Sequence, residues 1–341
     1  MTDSAALPVG MAGLQYPITQ ISLAVRDLDA TMERYHRAFG WAPWQVFDHV
    51  PPVHHATMLR GEPVHYALRG AEVYVGSVNF ELLQPLEGPN LWTEFMDRRG
   101  PGIASIATMF HERFDGDAVK AAFQERYGIP VTMKADIGDH IEYYYLDTEA
   151  RFGCLIESGS GHAIDFVHPA SVYPHQGAEP GRSPTTGLEY AIRSVTLLVR
   201  DLEPAVEAYR EAFGWGPFSM TIVSGGERSP EARVASALVG DTRFEIVEPL
   251  GDGPWRAVLE RDGQGLAAIG LGLADGEAED VARSALVDLG AAVIAEVGSA
   301  PGRGRPAWTL HDGRRDFACL VAIGNLPLDR TAPRPRSMLA T

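Results

Sequence analysis

The sequence is poor in basic residues, in cysteine and in long apolar stretches. Lys and Arg number 29 against 45 Asp and Glu, which gives a net charge of −16 and a pI near 5.1. Nucleic-acid binders present a basic face, and this balance argues against that class; the acidity serves solubility. Cys154 and Cys319 are the only cysteines, too few for a disulfide framework, and a cytoplasmic protein is expected. No apolar run approaches the roughly 20 residues of a membrane-spanning helix. The opening "MTDSAALPVG" lacks a basic segment followed by an apolar one, so no secretory signal is expected.

What is present is written twice. "AVRDLDATMERYHRAFGWAPW" begins at Ala24, and "LVRDLEPAVEAYREAFGWGPF" begins at Leu198. Before each block, alternating Ile21, Leu23, Val25 and Val195, Leu197, Val199 read as half-buried strands. Inside each block one helical stripe is apolar: Leu28, Met32, Tyr35, Phe39, and again Leu202, Val206, Tyr209, Phe213. Asp27 or Asp29 suits the first helix's N-cap, Pro204 the first turn of the second, and Gly40 and Gly214 the residue just past each end. "YVGSVNFELLQPL" and "LVGDTRFEIVEPL" read as hairpins, with turns at Gly76-Ser77 and Gly240-Asp241. "DRRGPGIASIATMF" answers "ERDGQGLAAIGLGL", each a glycine-marked entry into a further strand. "FGCLIES" answers "FACLVAI", so the cysteines occupy equivalent places and read as buried small residues. At 341 residues the chain suits two domains, with a Pro/Gly/Ser-rich joint. The expected limits are 14–165 and 188–326, with a linker at 166–187 and a mobile tail at 327–341.

A strand–helix–strands unit repeated in pairs, with "V-R-D-L", "F-G-W-x-P" and "F-E-L-L-Q-P-L" in order, resembles the vicinal oxygen chelate superfamily. Within it, the glyoxalase-like branch that holds methylmalonyl-CoA epimerase is the most similar. The resemblance implies an α+β fold in which paired βαβββ modules form two cup-shaped domains. It also implies four inward-facing positions for a divalent metal, usually two His and two Glu or Gln. In the first domain these positions are Gln20, Glu81, Ser105 and Glu157; in the second they are Ser194, Glu245, Ala268 and Ala322. The first set offers oxygen ligands that suit Mg²⁺ or Mn²⁺ better than Zn²⁺ or Fe, and a metal-free site is the alternative. The second set offers one ligand. On this comparison an iron dioxygenase, whose triad the resemblance puts in the C-terminal half, is not expected. Glu81 and Glu157 also have a plainer reading, since a strand glutamate can be solvated or ion-paired.

Two further groups stand out. Between the first helix and the hairpin, domain one is longer than domain two and carries His49, His54, His55 and His65. They are either a solvated loop or a source of a general base, with His65 the candidate. In "DHIEYYYLDTEARFGCLIES", alternation puts His140, Glu142 and Tyr144 on one face and Tyr143 and Tyr145 on the other. His140 or Tyr144 is the expected proton-transfer group. The reading expected overall is an isomerase, epimerase or lyase that works through an enolate of a carbonyl compound, with Glu81, Glu157, His140, Tyr144 and His65 as catalytic candidates. The alternative is a protein that binds or sequesters a small molecule, an antibiotic for example. A small-molecule substrate or ligand and a homodimer are the expected partners, with no nucleic acid and no membrane.

Overall fold

The protein is described by a computed structural model that covers residues 16–108, 116–174, 181–223, 231–273, 278–297 and 308–324. The expected tail at 327–341 lies outside the described residues.

The first domain begins with β1 (Gln20–Ala24), α1 (Leu28–Phe39) and β2 (Trp44–His49). Next come β3 (His54–Leu59), β4 (Glu62–Pro63), β5 (Ala67–Val75), β6 (Val78–Glu87) and α2 (Leu91–Arg99). The second module is β7 (Gly102–Ala107), α3 (Gly116–Tyr127), β8 (Val131–Ile137), β9 (Ile141–Leu146), α4 (Glu149–Phe152) and β10 (Leu155–Gly159). A short α5 (Ala163–Phe166) and β11 (Ser171–Tyr173) close the domain. The segment expected as a linker therefore holds structure: β11 pairs with β2, and the Ser183 and Thr185 hydroxyls donate to the carbonyl of Arg37.

The second domain repeats the plan. Its elements are β12 (Tyr190–Leu198), α6 (Leu202–Phe213), β13 (Ser219–Val223), β14 (Ala232–Val239), β15 (Thr242–Pro249) and α7 (Pro254–Asp262). They continue as β16 (Gly265–Leu273), α8 (Glu279–Asp288), β17 (Val293–Val297), β18 (Trp308–His311), α9 (Arg314–Phe317) and β19 (Leu320–Gly324). The sheet orders are β11-β2-β5-β6-β1-β7-β10-β9-β8-β3-β4 and β13-β14-β15-β12-β16-β19-β18-β17. In both, the first strand runs parallel to the last strand of its own module and antiparallel to the first strand of the next.

Local chemistry explains the repeated entry. Asp27 caps α1 by accepting from the Ala30 amide at 2.9 Å. Gly40 and Gly214 end α1 and α6 at φ 71° and 66°, where a side chain is disfavoured. Leu28, Met32, Tyr35 and Phe39 are buried together, as periodicity requires.

The sheets differ in closure. In the first, β2 lies near one edge and β3 near the other, and residues 50–53 alone connect them. Four intervening residues let the strand ends stand at most roughly 18 Å apart, so the sheet must curl to bring its edges towards each other. The histidine-bearing insertion is what does this: β3 pairs with β8 through His54 and Ile137. In the second domain β13 leads into β14, its hairpin partner, with no counterpart of β3 and β4 among the described residues.

One apolar core runs through both domains. The Tyr35 hydroxyl donates to the Phe317 carbonyl at 2.7 Å and stands 3.5 Å from Cys319 Sγ. Its counterpart Tyr209 donates to the Phe152 carbonyl at 2.9 Å and stands 3.3 Å from Cys154 Sγ. Trp41 Nε1 donates to the Tyr190 carbonyl and Trp215 Nε1 to that of Tyr16. Each tryptophan stacks on the tyrosine of its own domain, at 5.2 and 5.0 Å between ring centroids. The repeated "F-G-W" tryptophans are thus joints between domains, and both cysteines are buried and free.

Candidate functional site

The concave face of the first sheet encloses a cavity of about 30 Å³. Gln20 of β1, Glu72 of β5, Glu81 of β6 and Glu157 of β10 line it, together with His49, Trp92, Tyr143, Tyr145 and His162. Alternation places the acids: Ile21 and Leu23 turn to the core under α1, so Gln20 and Ser22 turn the other way. Glu72 and Glu81 sit opposite each other across the β5–β6 ladder.

Each carboxyl is held by a side-chain donor. Ser22 Oγ donates to Glu81 Oε2 at 2.6 Å, Tyr145 Oη to Glu157 Oε2 at 2.6 Å, and Asn79 Nδ2 to Glu72 Oε2 at 2.6 Å. Glu72 also accepts from the Ile164 amide at the start of α5, at 3.2 Å. No Lys or Arg is among the described residues that line the cavity. Burial, and then the charges of Glu157 and Glu72, push the Glu81 carboxyl well above the ordinary range. Burial first and Glu72 second raise Glu157; burial raises Glu72, with Asp165 adding to it. Three acids so placed cannot all be ionised without a counter-charge; they share protons or take up a cation. The Tyr145 hydroxyl is raised by burial and by Glu157 and Glu81, which keeps it a donor.

The Gln20 carbonyl oxygen is buried with no hydrogen-bond partner. An unsatisfied buried acceptor beside two carboxylates is what a hard cation requires. Gln20, Glu81 and Glu157 therefore fit a divalent ion as an oxygen-only set. Among the described residues no group of three His, Cys, Asp or Glu is arranged to hold a metal ion, so any such site needs the Gln20 amide as well.

The other expected site residues fall elsewhere. Ser105 is buried on β7. His65 is 59% exposed and pairs with Glu87 at 2.9 Å on the surface. His140 lies exposed in the turn between β8 and β9. Tyr144 is fully buried in the core shared by the domains, with the Lys120 ammonium 5.1 Å from its ring. The correction has a simple cause: every residue of β9 is buried, so the strand shows no polar face to identify the inside. Tyr143 and Tyr145 face the cavity instead. Tyr143 joins a buried chain, 2.8 Å from His54 Nε2 and 3.1 Å from Tyr66 Oη. His49, which also lines the cavity, is pushed down to about 3 by burial and by His54, so it stays neutral. Glu72 and His162 were missed, and His49 was singled out only as one of four histidines; alternation along β5 with Leu68 and Gly70 was the signal for Glu72.

The matching places of the second domain hold Ser194, Ala268 and Ala322 around Glu245, which is raised by burial and accepts from Thr196 Oγ1 at 3.2 Å.

A curled sheet built from paired βαβββ modules, with acids on its concave face, defines an α+β cup protein. Residues 19–145 match the glyoxalase/bleomycin resistance protein/dioxygenase superfamily. Residues 19–145 thus carry a domain of that superfamily, and the second sheet repeats the same plan of elements. Among solved structures it is similar to a triple mutant of 4-hydroxymandelate synthase from Streptomyces coelicolor, at 16% identity and a TM-score of 0.59 over 91% of this chain and 92% of that one. It is also similar to a xylose isomerase-like TIM barrel/4-hydroxyphenylpyruvate dioxygenase fusion protein, at 13% identity and a TM-score of 0.53 over 92% of this chain and 49% of that one. No curated protein matches.

These neighbours correct two expectations. The isomerase, epimerase or lyase reading, with its binding-protein alternative, does not stand, nor does the exclusion of an iron dioxygenase, because the solved structures similar over nine-tenths of this chain are a 4-hydroxymandelate synthase and a 4-hydroxyphenylpyruvate dioxygenase fusion. The exclusion rested on Ser194, Ala268 and Ala322. Their small side chains speak against a metal triad in the second cup and say nothing about oxygen chemistry in the first.

Proposed function

We propose that the protein is a divalent-cation-dependent enzyme with one working cup, in the first domain, acting on a small organic molecule. The observation that carries this is the set of three buried acids without a basic partner, next to the unsatisfied oxygen of Gln20. Gln20, Glu81 and Glu157 would hold the cation, and Ser22 and Tyr145 fix the two carboxylates through the hydrogen bonds they donate. The bound cation supplies a positive centre that polarises an oxygen of the substrate. Trp92 and Tyr143 wall the site off from water, and His49 remains neutral beside it. An oxygen-only set accommodates Mg²⁺, Mn²⁺ and Fe²⁺. Fold neighbours named for 4-hydroxymandelate and 4-hydroxyphenylpyruvate make oxygenation of an aromatic acid the reaction to assay first. The cavity holds roughly two waters, so an aromatic substrate enters only if its wall moves. Two buried free thiols fit a cytoplasmic location.

The test is metal analysis of the full chain after loading with each ion in turn, followed by oxygen uptake with Fe²⁺ and aromatic 2-oxo acids. About one ion per chain is expected, lost in Glu81→Gln/Glu157→Gln and kept in Glu245→Gln. No retained ion under any loading, or an ion retained by the double variant, sinks the proposal.

A further inference from the structure

A second cavity, of about 210 Å³, lies far from the acids, at the joint between the domains. The turn after α2 and the turn after α7 border it, and α9 contributes Arg314 and Ala318. Its floor is apolar, built from Ile103, Leu198, Leu266 and Leu320. Its charged rim is Arg99, Arg261, Arg314 and Asp262.

Arg99 is the informative residue. Basic residues at helix ends normally stay solvated and answer the helix dipole. The Arg99 side chain is only 17% exposed, and its ion-pair contact is Glu149 at 3.6 Å. Glu149 is shared with Arg98, which binds it at 2.9 Å. Burial holds the Arg99 guanidinium below its ordinary range despite that neighbour. The seat is built for it: a Cβ on Gly265 would stand 2.0 Å from Arg99 Nη1. Only glycine leaves room for the guanidinium to lie against the opposite domain.

The internal repeat shows that this side of the joint is special. Counting back from the paired cysteines, the place of Glu149 in the first domain is taken by Arg314 in the second. Acid has become base where the cavity opens. At Gly102, the counterpart of Gly265, a Cβ would meet the Phe95 ring at 3.3 Å and no guanidinium. Arg261 and Arg314 have local partners in Asp262 and Asp312, so the under-compensated charge is that of Arg99. A small anion with an apolar body would complete it, its charge on Arg99 and Arg314 and its body on the floor.

We propose that the inter-domain cavity is a binding site for a small organic carboxylate, separate from the acid-lined cup. The volume admits a molecule of about the size of benzoate. Charge and floor together select against a bare inorganic anion and against a neutral analogue.

Isothermal titration of the full chain with benzoate, benzamide and inorganic phosphate tests this. Saturable benzoate binding at one site is expected, with benzamide and phosphate each weaker by roughly tenfold or more. Arg99→Gln and Arg314→Gln should each weaken benzoate by a similar factor, and Gly265→Ala should do so by displacing Arg99. Arg314 is 32% exposed, so its variant folds even if a change at Arg99 disturbs the joint. The proposal is overturned by absence of saturable benzoate binding, by equal binding of benzamide or phosphate, or by unchanged benzoate affinity in the Arg314 variant.

Discussion

His54 is buried, with Nε2 against Tyr143 Oη and Nδ1 unmatched. Burial, outweighing its other influences, pushes it down to about 4. An unfolded histidine titrates near 6.5. Below that pH the unfolded chain takes a proton that the folded one refuses. The stabilising contribution is therefore complete above about 6.5 and is lost as pH falls towards 4. His54→Gln removes the titration and keeps a group able to bond Tyr143. The variant's stability relative to wild type should rise by about 2–3 kcal/mol between pH 7 and pH 4.5, read from urea unfolding at each pH. A pH-independent difference would refute the assignment. Glu157→Gln bears on the other half of the cup. It removes one of three mutually repelling acids, so the cation-free protein should gain stability at pH 8 while its Mn²⁺ affinity falls roughly tenfold or more. Loss of both, or of neither, by titration and melting would contradict it. At this scale the sequence was partly legible. Gln20, Glu81 and Glu157 were expected in the cup because the family resemblance implies those positions, and the repeat added that the second copy lacks the set. The tyrosines could be paired by face but not oriented, since β9 is buried on both sides.

Elements were legible wherever an end carries its own chemistry. The first helix announces both ends, through Asp27 and Gly40, and its stripe of apolar residues is the one that is buried. The role of Gly40 beyond the helix was not legible. A Cβ there would stand 2.0 Å from the carbonyl carbon of Arg182, more than a hundred residues away. Gly128, after α3, has a similar φ of 66° but nothing within 4 Å of a Cβ. Gly128→Ala should cost about 1 kcal/mol, the ordinary penalty of a left-handed alanine. Gly40→Ala should cost at least about 2 kcal/mol more, because backbone must shift. Chemical denaturation of the two variants compares them directly; equal losses would mean that the contact with Arg182 yields freely. The insertion that forms β3 and β4 was visible as extra length and histidines. Its task of joining the sheet's two edges depends on pairing with β8, a partner far along the chain that local pattern cannot identify.

At the scale of the whole molecule, the tandem cups could be read from the repeat itself, while the joint between them could not. Tyr35 and Tyr209 looked like ordinary members of a helical stripe, yet their hydroxyls reach into the opposite domain. With one core shared across both halves, the chain should unfold in a single transition. Far-ultraviolet circular dichroism and tryptophan fluorescence should give the same midpoint, and two separated midpoints would refute this. Tyr35→Phe/Tyr209→Phe should lower stability by about 2 kcal/mol without changing cation binding in the cup. The crossed clasp also bears on how the two copies age. At the four matching places the second domain offers one carboxylate, Glu245, while its helix α6 packs against the first domain through Tyr209. In a saturation library selected for soluble protein, tolerated changes should crowd around Ser194, Ala268 and Ala322 and thin out around Tyr209, Trp215 and Phe317.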